Sequence, residues 1–274
     1  MTKTKHKIFY RAGAVLLALV LLLGLFAGCG NVTVAGQKFK RDTTLCEFSD
    51  ISLDGANLAP LSDLPRLKVL VIFRCAFHDI TPLAGLPNLT TIILTDSAIA
   101  DLTPLAGLTN LKFLSLNFNL IADLSPLAGL KNLEDLRLRY NQINDISSLS
   151  KLTNLEILDL DGNQIDELLP LTVLVNLTEL RLSRNQIINI SPIAELNKLI
   201  SLDLSYNQVD DISPLAWLTG LEKLELRGNR IEDVLPLYAL TDLASLDLRD
   251  NPLTQEQIDD LKAALPDCNI LFNP

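Results

Sequence analysis

Hydrophobic residues recur along most of the chain in an order that repeats every 22 residues. From Asn57 to Thr254 the sequence divides, without gaps, into nine segments of this length. Each segment contains a stretch of the form xLxLx, whose alternation of apolar and polar positions is typical of a half-buried β-strand. A stretch of the form DIxPLxxL follows, where proline favours the start of a turn or a short helix. Each segment therefore predicts one strand and one return segment.

The repeated positions give the pattern LxxLxLxxNxI, which is identified as the leucine-rich repeat in a 22-residue form. One segment cannot bury its leucines alone, whereas stacked segments share a continuous core beneath a parallel sheet. The predicted fold class is an α/β solenoid. It is a leucine-rich-repeat arc with a parallel β-sheet on the concave face and short helical or irregular return segments on the convex face.

The two ends of the repeat array need covers, because an open solenoid end exposes leucines to water. At the C-terminal end, Thr254 and Gln257 form a capping-box pattern at the start of an apolar stripe typical of a helix. At the N-terminal end, TTLCEFSDISLDGA resembles a degenerate repeat, and only residues 29–42 are left as a tether. The predicted organisation is a signal peptide (1–28), a tether and N-terminal cap (29–56), nine repeats (57–254) and a helical cap (255–274).

An asparagine stands at one fixed position in seven of the nine repeats, and Cys75 and Ser97 take that position in the first two. An inward amide at this point satisfies backbone groups that turn away from the sheet. The sequence therefore predicts an internal column of asparagines. They are Asn119, Asn141, Asn163, Asn185, Asn207, Asn229 and Asn251.

The N-terminus carries a different pattern. MTKTKHKIFYR holds four basic residues and no acidic one, and the apolar stretch AGAVLLALVLLLGLFAG follows it. This order is typical of an export signal peptide. The end of the stretch, LFAGCG, resembles the lipobox of bacterial lipoproteins, which implies that Cys29 becomes the lipidated first residue. The alternative is an uncleaved anchor from Ala12 to Gly28. Both place the remaining chain outside the cytoplasm, anchored to the bacterial cell membrane.

Charge and cysteine content exclude several kinds of partner and site. Without residues 1–28 the chain keeps 19 basic and 33 acidic residues, a net charge of −14, which is the wrong sign for nucleic acid. Cys46, Cys75 and Cys268 form no CxxC pair, and a single histidine, His78, remains beside them. The sequence therefore predicts no metal site of the usual spacing and no cofactor. A Cys46–Cys75 disulfide and two buried free thiols both fit the sequence.

Catalytic patterns are missing as well, since the chain contains no GxSxG and no phosphate-loop glycine pattern. We therefore predict that the protein is not an enzyme. Paired carboxylates stand at repeat junctions, as Asp166–Glu167, Asp210–Asp211 and Glu232–Asp233. Their expected role is to form turns and to cap the return segments. A calcium site among stacked acidic turns is the alternative.

The first three repeats place apolar side chains on the concave face, where a soluble solenoid has no stability reason to expose them. Contiguous apolar patches commonly mark partner surfaces. The alternative is that the N-terminal cap folds over them. The apolar residues expected on this face are Val69, Val71, Phe73, Ile93, Phe113 and Phe118.

Charges alternate in the following repeats. Arg137 stands opposite Asp159 on the next predicted strand, and Arg139 stands opposite Asp161. If these residues form salt bridges between the strands, the charged side chains serve mainly to keep the surface soluble. The alternative is that Arg137, Arg139, Tyr140 and Arg181 form the edge of a site. The predicted protein-binding residues are Val71, Phe73, Ile93, Phe113, Phe118, Arg137, Arg139, Tyr140 and Arg181.

Over residues 57–254 the repeats resemble those of internalin-type bacterial surface proteins, whose consensus runs NLxxLxLxxNxIxDIxPLxxLx. The resemblance implies a curved extracellular solenoid that binds a protein or peptide through its concave face. It does not specify which partner, because a repeat consensus defines a fold and not a function. We expect a monomer. The alternative function is a structural envelope scaffold without a high-affinity site.

Overall fold

A computed structural model of the chain describes residues 31–50, 55–75 and 77–273. The predicted signal peptide and Cys29 lie outside the described residues, as do Ile51 and Leu53 of the predicted cap. Eleven strands form one parallel sheet in which the strands follow one another in chain order. They are β3 (Leu45–Ser49), β4 (Val69–Phe73), β5 (Thr91–Thr95), β6 (Phe113–Ser115), β7 (Asp135–Arg137), β8 (Ile157–Asp159), β9 (Glu179–Arg181), β10 (Ser201–Asp203), β11 (Lys223–Glu225), β12 (Ser245–Asp247) and β13 (Asn269–Leu271).

The return segments are short 3-10 helices, so the predicted solenoid class is confirmed. All but one carry proline in their first turn, where its fixed φ and missing N–H are tolerated. A four-residue helix, α1 (Gly55–Leu58), precedes the first of them. The 3-10 helices are Ala59–Asp63, Thr81–Gly85, Thr103–Leu105, Ser125–Gly129, Ser147–Lys151, Leu169–Val173, Ser191–Ile193, Ser213–Trp217 and Leu235–Ala239.

Acidic residues at the repeat junctions hold the starts of these helices. Asp211 Oδ1 accepts a hydrogen bond from the Ser213 N–H at 2.8 Å, and Glu167 and Asp233 bind the backbone two residues ahead in the same way. The hydrogen bonds from Ser213 also lower the pKa of Asp211. The second carboxylate of each pair thus has the expected turn-forming role. Among the described residues no group of His, Cys, Asp and Glu side chains is arranged to hold a metal ion.

Leucine and isoleucine side chains of all the coils merge into one buried core that runs from the N-terminal cap to the C-terminal helix. The seven asparagines line this core as predicted. Asn141 is typical, since its Nδ2 donates to the carbonyl oxygens of Leu116 (3.0 Å) and Leu138 (2.9 Å), while its Oδ1 accepts from the Ile121 N–H (3.0 Å). Each amide therefore ties neighbouring coils together and leaves none of these backbone groups unsatisfied.

The C-terminal cap has the predicted form. Helix α2 (Gln255–Ala264) begins with a complete capping box between Thr254 and Gln257, and it buries Ile258 and Leu261 against the last coil. Strand β13 then pairs with β12 and closes that end of the sheet.

The N-terminal cap contains more structure than the sequence suggested. Residues 31–40, expected within a tether, form an antiparallel hairpin of β1 (Asn31–Val34) and β2 (Gln37–Lys40). Val34 of this hairpin is fully buried in the core. The cap adds one strand to the edge of the repeat sheet, since β3 pairs in parallel with β4. The hairpin was missed because two four-residue strands are too short to show a period.

Cys46 and Cys75 are buried free thiols, which decides between the two alternatives left open by the sequence. Burial raises the pKa of Cys46 to about 12, so this thiol stays protonated at neutral pH. Of the helices that the structure describes, none has the length and apolar character needed to cross a bilayer.

Candidate binding surface

The outward side chains of β4 to β9 form the candidate surface on the concave face. Phe73 at the end of β4 and Phe118 just after β6 are well exposed, at 39% and 48% of their surface. Phe113, Arg137, Arg139 and Tyr140 are half-buried, and Arg181 is exposed. The N-terminal cap does not cover Phe73 or Phe118.

Val71 and Ile93 differ from expectation. They were expected to be exposed, yet only 9% and 7% of their surfaces are accessible. Both stand in the central outward column of the sheet, where polar members such as Ser115 and Asp159 are also buried. The concave curvature crowds side chains on adjacent strands, which are only ~4.8 Å apart. Accessible apolar surface is therefore concentrated at the aromatic residues toward the strand ends.

Arg137 covers an aromatic ring instead of crossing to the next strand. Its guanidinium donates from Nε and Nη2 to the two carboxylate oxygens of Asp135, both at 2.9 Å. The guanidinium carbon lies 5.3 Å from the centroid of the Phe113 ring. Such a position favours a cation–π attraction. Arg137, Asp135 and Phe113 thus form one packed group in the middle of the face.

The predicted salt bridges between strands are wrong in their partners. The strand register does place Arg137 beside Asp159, and Asp159 beside Arg181. However, Arg181 pairs with Glu179 of its own strand at 2.6 Å, as Arg137 does with Asp135. Residues two apart on a strand face the same side, so a carboxylate on the same strand competes directly with one on the neighbouring strand.

Arg139 forms a second group with two aromatic rings. The rings of Phe118 and Tyr140 stack with their centroids 5.0 Å apart and their planes 20° from parallel. The Arg139 guanidinium carbon lies 5.0 Å from the Tyr140 centroid. Arg139 Nε is buried, and it has no hydrogen-bond partner among the described residues. One edge of the stack, the Phe118 ring, faces solvent.

A backbone feature that sequence reasoning missed positions this stack. The residue before the asparagine position has a positive φ in all nine repeats, including the first two, where Cys75 and Ser97 replace the asparagine. At Gly162 and Gly228 this position has no side chain, and a Cβ there would collide with the rings of Tyr140 and Tyr206 respectively. Each glycine thus provides the flat surface on which the tyrosine of the preceding repeat lies. The signal in the sequence was glycine directly before the asparagine, as in DGN and RGN.

Carboxylates dominate the electrostatics of the face beyond Arg139. Asp161 is only 5% exposed; burial and the nearby charges of Asp159 and Asp203 raise its pKa to about 7. Burial also raises the pKa of Asp159 despite Arg181, Arg139 and Arg137 nearby.

The net charge is unevenly distributed along the chain. Residues 29–139 hold 10 basic and 11 acidic residues, whereas residues 140–274 hold 9 and 22. Phe73 and Phe118 therefore lie in the nearly neutral half of the chain, whereas the exposed Tyr206 and Trp217 lie in the acidic half.

Comparisons with known proteins agree with this architecture. Residues 87–129, 131–172 and 175–217 match the family model described as leucine-rich repeats in two copies. A comparison with curated protein sequences gives no match. Among solved structures, the internalin inlF of Listeria monocytogenes is similar at a TM-score of 0.75 and 32% identity, over 79% of this chain and 65% of that one.

Two further solved structures are similar to this chain. The internalin C2 of Listeria monocytogenes (inlC2) is 37% identical with a TM-score of 0.64, over 72% of this chain and 84% of that one. A leucine-rich-repeat protein of Leptospira interrogans is 30% identical with a TM-score of 0.73, over 77% of this chain and 56% of that one. The chain therefore spans less than two thirds of the inlF and Leptospira chains and most of the inlC2 chain.

Proposed function

We propose a function from one premise: the chain belongs to the leucine-rich-repeat proteins, within which it is similar to bacterial internalins. The protein binds another protein or a peptide on the concave face of its sheet, and it has no catalytic activity of its own. Contacts to Phe73 and Phe118 supply affinity, while Arg137, Arg139, Tyr140 and Arg181 orient the partner.

The observation that carries this proposal is the exposure of Phe73 and Phe118 beside ordered cations. Arg74 lies over the Phe73 ring at 5.4 Å and is held there by Asp50, to which its Nε donates at 2.8 Å. Phe118 is held by its stack with Tyr140. Aromatic and arginine side chains are enriched among residues that dominate binding energy. Side chains fixed before binding lose less entropy when a partner arrives.

The same proposal includes an extracytoplasmic location, with Cys29 carrying a lipid anchor in the cell membrane. Its support is the N-terminal sequence, where a basic segment, an apolar segment and LFAGCG follow in the order of an exported lipoprotein. Metabolic labelling with a fatty-acid analogue tests it, since Cys29→Ala should abolish incorporation of the label.

Cross-linking capture with the mature protein, followed by identification of the bound protein, provides a partner for quantitative work. Phe73→Ala combined with Phe118→Ala should then weaken binding by about 2 kcal/mol or more, roughly thirtyfold in Kd, because each change removes a fixed aromatic contact. Isothermal titration calorimetry measures the change, and an unchanged circular dichroism spectrum shows that the fold is intact.

The matched control is Trp217→Ala combined with Leu235→Ala, which removes two exposed apolar side chains from the convex return segments. This variant should bind the partner with an unchanged Kd. Equal losses in both variants would contradict recognition by the concave face. Failure to capture any stoichiometric partner would instead favour the structural envelope scaffold.

A further inference from the structure

We propose that a polar groove along the strand-entry edge of the first coils binds an acidic oligosaccharide. The groove has a volume of about 720 Å³ and runs from the cap strand β3 to β7. It lies where the chain enters the strands, and none of the residues proposed to bind a protein lines it. Its main side chains are Arg66, Lys68, Asn88, Asn110, Lys112 and Asn132.

The charge of the groove is opposite to that of the protein. Among the described residues that line it, three are cations and none is a carboxylate, although the chain holds 33 acidic residues. Arg66 and Lys68 are exposed and form no salt bridge with any described residue, while Lys112 pairs with Glu134 at 2.7 Å. Two cations are thus free to receive an anion. The third, Lys112, needs only to break a solvent-exposed ion pair, which contributes little free energy.

A second asparagine column gives the groove its hydrogen-bonding pattern. The Nδ2 atoms of Asn88, Asn110 and Asn132 donate to the carbonyl oxygens of Pro65, Pro87 and Thr109 at 3.0, 2.9 and 2.8 Å. These bonds fix the amide planes, so each Oδ1 remains as an acceptor of fixed orientation. Further along the same column, Lys198 Nζ donates to Asn176 Oδ1 at 2.7 Å. The outward amide oxygen is therefore accessible to a donor.

The spacing of these groups suits an elongated ligand rich in hydroxyls. Successive coils are ~4.8 Å apart, so three amide oxygens form a row roughly 10 Å long. Hydroxyl groups would donate to this row, and carboxylate or phosphate groups would meet the flanking cations. A sugar chain with anionic substituents combines both features.

The charge changes at the last coil of the groove, which contains both Asn132 and Glu134. The column that contains Lys68, Thr90 and Lys112 continues with Glu134 and Glu156 in the following coils. An anionic ligand is therefore restricted to the first coils. The excess negative charge of residues 140–274 repels it little there, because the Debye length is only ~8 Å at physiological ionic strength.

Other ligand classes fit less well. No aromatic side chain lines the groove within the described part of the chain, so bases of a single-stranded nucleic acid would lack a stacking surface. Of the lining residues that the structure describes, Pro65 alone is apolar, which leaves little to hold a lipid chain or an apolar peptide.

Calorimetric titration of the mature protein with hexagalacturonate tests the proposal. Maltohexaose, a neutral chain of equal length, should bind at least tenfold more weakly because it leaves the cations unused. Lys68→Ala combined with Lys112→Ala should weaken hexagalacturonate binding about tenfold, as expected for the loss of two exposed charge contacts. Added salt should weaken binding further.

The matched control is Lys131→Ala combined with Lys151→Ala, which removes the same charge from exposed positions outside the groove. This control should change the Kd less than twofold. Inorganic phosphate and phosphatidylglycerol vesicles distinguish a free anion or a lipid headgroup from a sugar chain. Equal loss in both double variants, equal affinity for maltohexaose, or binding of the vesicles or phosphate but not of hexagalacturonate would each overturn the proposal.

Discussion

At the residue scale, Asp161 has the most unusual chemistry on the concave face. Its Oδ1 accepts from the Ser183 N–H at 2.7 Å, and burial together with Asp159 and Asp203 raises its pKa from 3.8 to about 7. The folded protein therefore holds a proton at Asp161 more tightly than the unfolded chain does. The stability that this carboxyl contributes is fully present below about pH 4 and is lost as the pH rises through about 7.

Asp161→Asn should accordingly increase stability at pH 8 relative to the unchanged protein, while making little difference at pH 4. The amide keeps an acceptor for Ser183 but carries no charge to bury. One pKa unit corresponds to about 1.4 kcal/mol, so a gain of a few kcal/mol in the free energy of unfolding is expected. Urea denaturation across this pH range measures it. Asp166→Asn, at an exposed junction, serves as control, and parallel pH profiles for all three proteins would contradict the assignment.

Residue-level contacts also show where sequence reasoning was limited. The asparagine column was predicted because one residue type recurs at one position. The salt-bridge partners of Arg137 and Arg181 were not predicted, because a long arginine side chain can reach a carboxylate on its own strand as well as one on the adjacent strand. The choice of partner depends on the side-chain rotamer and, for Arg137, on packing against Phe113, and neither can be deduced from the repeat pattern.

At the scale of the strand and its following turn, Gly162 determines how the aromatic stack is built. It has a φ of +67°, and a Cβ there would collide with the Tyr140 ring. Gly162→Ala should therefore destabilise the protein by about 1–3 kcal/mol, since an L-residue is strained in this conformation and Tyr140 must move. Chemical denaturation measures the loss, and partner binding should weaken because Phe118 loses its neighbour.

Gly107→Ala is the matched control. Its φ is not positive, and a Cβ there would have no atom within 4 Å. The control should be neutral or slightly stabilising, because alanine restricts the unfolded chain more than glycine does. Equal destabilisation by both changes would show that the Tyr140 contact is unimportant.

At the scale of the whole molecule, the solenoid depends on its end covers because each coil contacts only its neighbours. Ile258→Ala combined with Leu261→Ala removes apolar side chains that α2 buries against the last coil. A loss of about 4 kcal/mol or more is expected from the two cavities. Hydrogen exchange should show β12 and β13 opening first, while β6 to β8 stay protected.

Glu256→Ala combined with Asp260→Ala changes the exposed side of the same helix and should leave the exchange pattern unchanged. Uniform loss of protection along the sheet in the Ile258 and Leu261 variant would mean that the solenoid unfolds as one unit instead of from its end.

The sequence by itself determined the number of repeats, the order of the strands, the asparagine column and the C-terminal cap. Each follows from local preference or from contacts between residues 22 apart, and such contacts repeat until they dominate the pattern. Tertiary structure alone decided the burial of Val71 and Ile93, the hairpin of residues 31–40, the salt-bridge partners and the groove at the strand-entry edge. These features depend on sheet curvature and on competition among nearby side chains, which are set only when the coils stack.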